Sequence, residues 1–378
     1  MADMLSKKDG FCLKVWISSL KQRYSKIHYY FSFLFKLKLY LPSNIKKMFE
    51  LGRVGIIGGG SWATAIAKII EEKPQPLNWY MHDPEAVEHM KKVGTNPLYL
   101  SSVEFDTKNL NLTTDVNEVV RNSDTILFVT PSAYLKSTLS GLTESLTEKT
   151  VVSAIKGIIP EDNLLVGDYL HKVHHVPYNN IGIITGPCHA EEIALERLSY
   201  ITIAFTEEEK ALAVAAMMRN RYVRTVISDD ILGTEYAAVL KNIYALAAGV
   251  CTTLGYGDNF LAVLISNAIR EMKRFTDKVY PINRDIKDSA YLGDLLVTAY
   301  SQFSRNRYFG TMIGKGYSVE YIKNEMNMVA EGYYASKCIH EINKKHNVDM
   351  PISESLYSIL YEGAAPRVTI KNLTEKLS

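Results

Sequence analysis

The chain has 378 residues, 47% hydrophobic and 22% charged, which excludes a disordered or fibrous protein and leaves room for about two domains. Its four cysteines, Cys12, Cys188, Cys251 and Cys338, are far apart and form no CxxC or metal-type spacing, which argues against a disulfide framework and fits a reducing compartment. The net charge of +2 is uneven: residues 1–47 hold ten Lys/Arg against two Asp, and the mildly acidic remainder gives no reason to expect nucleic-acid binding.

Residues 1–47 interleave Trp16, Tyr24, Tyr29, Tyr30, Phe31, Phe33, Phe35 and Tyr40 with lysines. Lys36 and Lys38 break the apolar run, which is then shorter than the ~20 residues of a spanning helix. A basic surface-binding helix or a targeting extension fits this composition. The expectation adopted is an over-long start, with the working protein beginning at Met48, six residues before Val54.

The stretch Arg53 to Ile70, RVGIIGGGSWATAIAKII, organises the chain. An apolar run, Val54-Gly55-Ile56-Ile57, predicts a buried strand. Gly58-Gly59-Gly60 predicts a tight turn, and Ala63, Ile66, Ala67 and Ile70 predict a helix. The spacing Gly58-x-Gly60-x-x-Ala63 fits the dinucleotide-binding turn. Gly58 permits the turn, Gly60 lets a pyrophosphate approach the backbone, and Ala63 allows close helix–strand packing. The phosphates would then lie at the positive end of the helix.

Leu77 to Met81 reads as a second strand ending in His82-Asp83-Pro84. There Asp83 either meets a ribose hydroxyl or caps the next helix, and His82 lies against the adenosine or meets a 2′-phosphate. No arginine follows, so the NADP signature is weak. Thr125 to Thr130 is a buried strand leading to Pro131-Ser132, and Val151 to Ile155 is another, leading to Lys156-Gly157. Lys156 thus stands at a strand end facing the expected cleft. Ile181 to Thr185 runs into Gly186-Pro187-Cys188-His189-Ala190, where adjacency alone does not make a Cys–His nucleophile. Tyr200 to Phe205 and Tyr222 to Ile227 complete the strand-rich half.

From about Asp229 helical periods dominate. Gly233 to Val250 reads as one long apolar helix interrupted by Lys241 and Asn242. A lysine there either snorkels to solvent or serves as an acid/base with a lowered pKa. Further on, Gly293-Asp294 leads through Thr298 to Ser304-Arg305-Asn306-Arg307, a donor-rich stretch suited to phosphate. No internal repeat is present.

The words GGGSWATAIA, NPLYL, VTPSAYL, KGI, GPCHAEE, LKNIYALAAGV, GDLLVT, SRNRYFG, VAEG and VDMPI stand in this order from about Gly52 to Leu373. In these the chain resembles the NAD(P)-dependent glycerol-3-phosphate dehydrogenases of the bacterial type. The resemblance implies an α/β fold: a Rossmann-type doubly wound NAD(P) domain over 48–228, then an all-α substrate and catalytic domain over 229–378. It implies hydride transfer between NADH or NADPH and dihydroxyacetone phosphate, giving sn-glycerol 3-phosphate for phospholipid synthesis, with no metal. Lys241 matches the acid/base and Lys156 a ligand of both substrate and coenzyme. Gly186, Cys188, Asn242, Asp294, Thr298, Ser304, Arg305 and Asn306 match substrate contacts. Gly58, Gly60, Ser61, Trp62, Ala63, His82, Ala190, Arg305, Val329 and Glu331 match the coenzyme side. Cys188 replaces the family's usual Ser or Thr, a departure that weakens a direct contact. A cytoplasmic location and a homodimer are carried as expectations. The rivals are a hydroxyacid dehydrogenase acting on a carboxylate, which the SRN word argues against, and a nicotinamide-binding regulator, which would not need Lys156, Lys241 and Asp294.

Overall fold

The computed structural model describes residues 49–73, 75–326 and 330–378; the extension 1–47 and the expected coenzyme contact Val329 lie outside the described residues. Phe49–Ser378 form one compact unit.

The chain first lays down β1 (Val54–Ile57), β2 (Leu77–Tyr80), β3 (Leu110–Thr113), β4 (Thr125–Phe128) and β5 (Thr150–Ser153). A short antiparallel ribbon follows, β6 (Ile158–Ile159) with β7 (Leu164–Leu165). Then come β8 (Ile181–Thr185), β9 (Ser199–Phe205) and β10 (Val223–Ser228). The main sheet runs β10-β9-β8-β5-β4-β1-β2-β3, parallel throughout except where β9 pairs antiparallel with β8. The central strands β1, β4, β5 and β8 are buried at every position, which is why they read as unbroken apolar runs. The strand that sequence reading missed is β3. Its alternation of Leu110 and Leu112 with Asn111 and Thr113 belongs to an edge strand wetted on one face.

The strand order reverses beside β1. A doubly wound sheet opens a crevice there, beyond the carboxyl ends of its strands. The turns that leave β1, β4, β5 and β8 deliver the glycine turn, Thr130-Pro131, Lys156 and Gly186 to this end.

Among the described residues no strand follows Ser228. The helix Ile231–Thr253 is buried along nearly its whole length, which explains its apolar character on all sides. Asp230 caps it, accepting from Gly233 N at 2.9 Å, and is itself held by Arg284 Nε at 2.7 Å. Helices Asp258–Val279, Asp294–Tyr300, Arg305–Gly314 and Glu331–His346 pack around it. The contact with Arg305–Gly314 is close enough to need glycine on both sides. A Cβ on Gly249 would lie 2.1 Å from Arg307 O, and one on Gly310 would lie 2.0 Å from Leu246 O. This packing fixes the two helices that carry Lys241 and Arg305.

Candidate active site

The glycine turn is held from three sides. Gly58 has φ +140°, and a Cβ there would lie 2.3 Å from Val129 O, so only glycine fits between β1 and β4. Its carbonyl accepts from Trp79 Nε1 at 2.6 Å. Asn96, fully buried, donates to Gly59 O at 3.0 Å and Thr64 Oγ1 at 2.9 Å and accepts from the backbone of Leu98 and Tyr99. Gly60 differs from Gly58: a Cβ there meets nothing within 4 Å, because the position faces the open cleft. It starts the helix Ser61–Glu71 without any side-chain cap, which leaves the first amides directed at the cleft. Ala63, expected beside the coenzyme, is instead fully buried among the core side chains. Its part is the close helix–strand packing that brings the turn to the cleft, not contact with a ligand.

The cleft has two arms. One runs past Gly58, Gly59, Gly60 and Ser61 to Tyr80, His82, Tyr99, Tyr134, Lys323, Tyr333 and Tyr334. The other holds Trp62, Lys156, Cys188, His189, Ala190, Lys241, Asn242, Asp294, Thr298, Ser304, Asn306 and Glu331. Gly60, Ser61, Thr130, Pro131 and Arg305 line both. Trp62 Nε1 and Thr130 Oγ1 are buried with no hydrogen-bond partner among the described residues. Orphaned polar atoms of this kind fit a ligand that brings its own donors and acceptors. Together with the open cradle at Gly60, they make the residues present a fit for a dinucleotide.

Asp83 spends its carboxylate on the cap. Its Oδ1 accepts from Glu85 N at 2.9 Å and Ala86 N at 3.3 Å. Of the two roles open to it in the sequence, the structure gives it the helix N-terminus.

The second arm is built on charge. Lys241 is 4% exposed and does not snorkel. Its Nζ donates to Asp294 Oδ1 at 2.6 Å and Thr298 Oγ1 at 2.9 Å. Thr298 in turn donates to Asp294 O at 2.6 Å. Lys156 Nζ reaches the other oxygen of Asp294 at 3.4 Å and donates to Gly186 O at 3.0 Å. One buried carboxylate thus serves two ammonium groups, which leaves the cluster with a net positive charge. Asp294 follows a π-helical turn, Ser289–Gly293, which resets the register of the helix that carries it.

The electrostatics follow from burial and these neighbours. Burial brings the Lys241 ammonium down to about 8; Asp294 opposes the fall and Lys156 adds to it. Burial would push Asp294 up, but the two lysines outweigh it and hold the carboxyl below its ordinary range. Burial also works against the charge of Lys156, and Asp294 more than offsets it, so that this lysine stays above its ordinary value. Burial, helped by Lys241 and Lys156, drives His189 down to about 4, so its ring is neutral.

A polar chain backs the cluster. Asn242 Nδ2 donates to Lys156 O at 2.7 Å, and Asn242 Oδ1 accepts from Asn306 Nδ2 at 2.9 Å. Asn306 Oδ1 accepts from Gly332 N at 2.8 Å. Asn306 therefore has one amide hydrogen beyond these bonds to offer a ligand. Ser304 Oγ accepts from Arg307 N at 3.2 Å and so caps the helix that carries Arg305 and Asn306. Cys188 Sγ donates to Gly186 O at 3.3 Å, and burial raises its thiol pKa, so no nucleophile forms with His189. Glu331 accepts from Ser132 N at 2.8 Å and Ser132 Oγ at 2.5 Å, bridging the two halves beside Trp62. Gly186 lines neither arm but supplies the carbonyl that orients Lys156.

Sequence reading passed over Asn96, Thr185, Ser132 and Lys323. Thr185 Oγ1 donates to Asp294 Oδ2 at 3.4 Å. Each acts across a long separation in sequence, so no local spacing marks it; only Asn96, inside the NPLYL word, lay in a stretch that stood out.

Residues 53–211 match the family described as NAD-dependent glycerol-3-phosphate dehydrogenase N-terminus, and residues 230–371 match its C-terminus. The chain is 34% identical over 328 residues to a glycerol-3-phosphate dehydrogenase [NAD(P)+] of Exiguobacterium sp., covering 86% of this chain and 96% of that protein. It is 30% identical to one of Staphylococcus aureus, covering 86% and 98%. The crystal structure of glycerol-3-phosphate dehydrogenase from Coxiella burnetii superposes with a TM-score of 0.79 at 26% identity, over 86% of this chain and 99% of that one. With both halves of the family matched in order on one chain, this protein belongs to the NAD-dependent glycerol-3-phosphate dehydrogenase family.

Proposed function

We propose how this chain carries out its family's reaction, the NAD(P)H-dependent interconversion of dihydroxyacetone phosphate and sn-glycerol 3-phosphate. The bound reduced nicotinamide supplies a hydride to C2 of the ketone. Lys241, as the ammonium, hydrogen-bonds the carbonyl oxygen and gives it a proton as negative charge develops there. Asp294 orients Lys241 and keeps it charged, while Lys156 lowers the cost of removing its proton. In the oxidative direction the neutral Lys241 amine takes the hydroxyl proton back. Lys156 faces both arms through Trp62, with its Nζ 5.9 Å from the indole ring centroid, and holds substrate against coenzyme.

Arg305 and Asn306 anchor the substrate phosphate. They open the helix Arg305–Gly314, whose positive end favours an anion. Gly58, Gly60, Ser61 and Trp62 seat the coenzyme, with His82, Ala190 and Glu331 at its flanks. The change from strands to helices between Ser228 and Ile231 supports a division into a coenzyme part over 48–228 and a catalytic part over 229–378. Three buried free thiols, Cys188, Cys251 and Cys338, fit a reducing cytoplasm. No helix among the described residues is long and apolar enough to cross a membrane. A homodimer belongs to the same reading; the exposed apolar row Leu296, Tyr300 and Phe303 supports it, and a monomer by light scattering would refute it.

One observation carries the assignment: a lysine 4% exposed, locked to a buried carboxylate, in the arm that adjoins the glycine turn. The test is coenzyme oxidation with dihydroxyacetone phosphate against dihydroxyacetone and a 2-oxo acid. Remote binding energy from the phosphate supports positioning, so the phosphate ester should be turned over far faster. Equal use of the phosphate-free ketone, or preference for the oxo acid, would overturn it.

A further inference from the structure

We propose that the coenzyme cleft selects NADPH over NADH, with His82 and Lys323 receiving the 2′-phosphate. This rests on the coenzyme-site reading above. NADH is read at the end of the second strand by an acid that accepts from the ribose hydroxyls and repels a phosphate. Here the acid at that place is Asp83, and its Oδ1 is engaged by the amides of Glu85 and Ala86. Asp83 does not line the cleft, and no Asp or Glu lines this arm at all. Its charged or ionisable nitrogen groups are His82, Arg305 and Lys323. Arg305 also lines the catalytic arm, which leaves His82 and Lys323 for the outer end.

Lys323 comes from the helical half, on the helix Val319–Glu325, and so supplies the cation that no arginine after His82 provides. Its Nζ lies 5.1 Å from the Tyr333 ring centroid and 5.7 Å from that of Tyr334, which holds the long side chain at the cleft wall. A 2′-phosphate brings roughly −1.5 to −2 charge and several acceptors to a wall with positive groups and no carboxylate.

The test is equilibrium binding of NADPH and NADH to the full chain by coenzyme fluorescence, with 2′,5′-ADP and 5′-AMP as competitors. NADPH should bind about tenfold more tightly, the scale of a charge-assisted hydrogen bond at a partly exposed site, and 2′,5′-ADP should outcompete 5′-AMP in the same ratio. Lys323→Gln should weaken NADPH by about tenfold and change NADH by less than about twofold. Added salt should shrink the preference. Equal or tighter binding of NADH would overturn the proposal. So would equal weakening of both coenzymes by Lys323→Gln, which would place Lys323 on the pyrophosphate or in the fold. Binding of neither coenzyme would overturn the coenzyme-site reading itself.

Discussion

The two halves of the molecule prepare for their ligands by opposite means. The sheet half uses backbone: a turn that only glycine can make, an uncapped helix start, and a clamp by Asn96. The helical half uses side-chain charge, buried to the point where Lys241 and Asp294 are 4% and 1% exposed. A backbone site is contained in one short stretch and tolerates little change of shape. A charged site tolerates change of shape better than change of charge, because each ion is kept in the interior by the others. It is also not contained in one half: Lys156 stands after β5 and meets Asp294 across 138 residues.

The largest effects should come from breaking the charged side alone. Lys241→Met should lower turnover by about 10³-fold or more, since it removes both proton donor and oxyanion partner, while coenzyme binding stays within about twofold. A loss of coenzyme binding with turnover would make Lys241 a structural lysine. Asp294→Asn should cost about 10²-fold in ketone reduction at neutral pH. Without the carboxylate, burial and Lys156 both favour the neutral amine, so the proton donor is missing. The pH profile carries the sign. Reduction needs the Lys241 ammonium, so in the unaltered protein its rate should fall as pH rises through about 8, and the oxidative rate should rise through the same region. In Asp294→Asn both limbs should move to lower pH. A limb that stays in place would mean that another group donates the proton.

The same contrast decides what the sequence could disclose. The glycine turn is legible because its parts are neighbours, and β1, β4 and β8 are legible because burial on both faces leaves unbroken apolar runs. The long helix is legible as an apolar segment, and Lys241 as its anomaly, but the sequence alone left snorkelling and catalysis both open. What resolves them is the side chain of Asp294, 53 residues away, and the wall of Lys156 and Thr298 around it. Asp83 was ambiguous for a similar reason. A carboxylate before a proline can cap or bind, and only the direction of its oxygens decides. Lys323 was invisible, since nothing local ties a lysine on a short helix to a cleft that opens beyond the sheet.

The backbone side breaks in a graded way. Gly58→Ala places a Cβ 2.3 Å from Val129 O at φ +140°, so strain of about 1–3 kcal/mol should lower the melting temperature and weaken coenzyme binding together. Gly60→Ala has φ −81° and open space around its Cβ, so the fold should be indifferent. Its methyl group would enter the cleft, and coenzyme affinity alone should fall. Thermal unfolding without ligand, set beside coenzyme titration, separates the two. Equal destabilisation of both variants would mean that the turn is sensitive to any side chain, and the assignment of Gly60 to the ligand would be lost.

The smallest effect expected is the most exacting test of the charged side. Cys188 lies 4.0 Å from Lys156 Nζ, and its Sγ donates to Gly186 O, the same carbonyl that orients Lys156. Burial keeps the thiol protonated at neutral pH, so it contributes no charge to the cluster. Cys188→Ser swaps one neutral donor for a shorter, stronger one. It should change the KM for dihydroxyacetone phosphate by less than about threefold and leave the pH limb near 8 where it was. A shift of that limb would mean that the sulfur is ionised beside Lys156. The cluster would then hold two anions against two ammonium groups, its net positive charge would vanish, and the attraction for an anionic substrate would have to come from Arg305 alone.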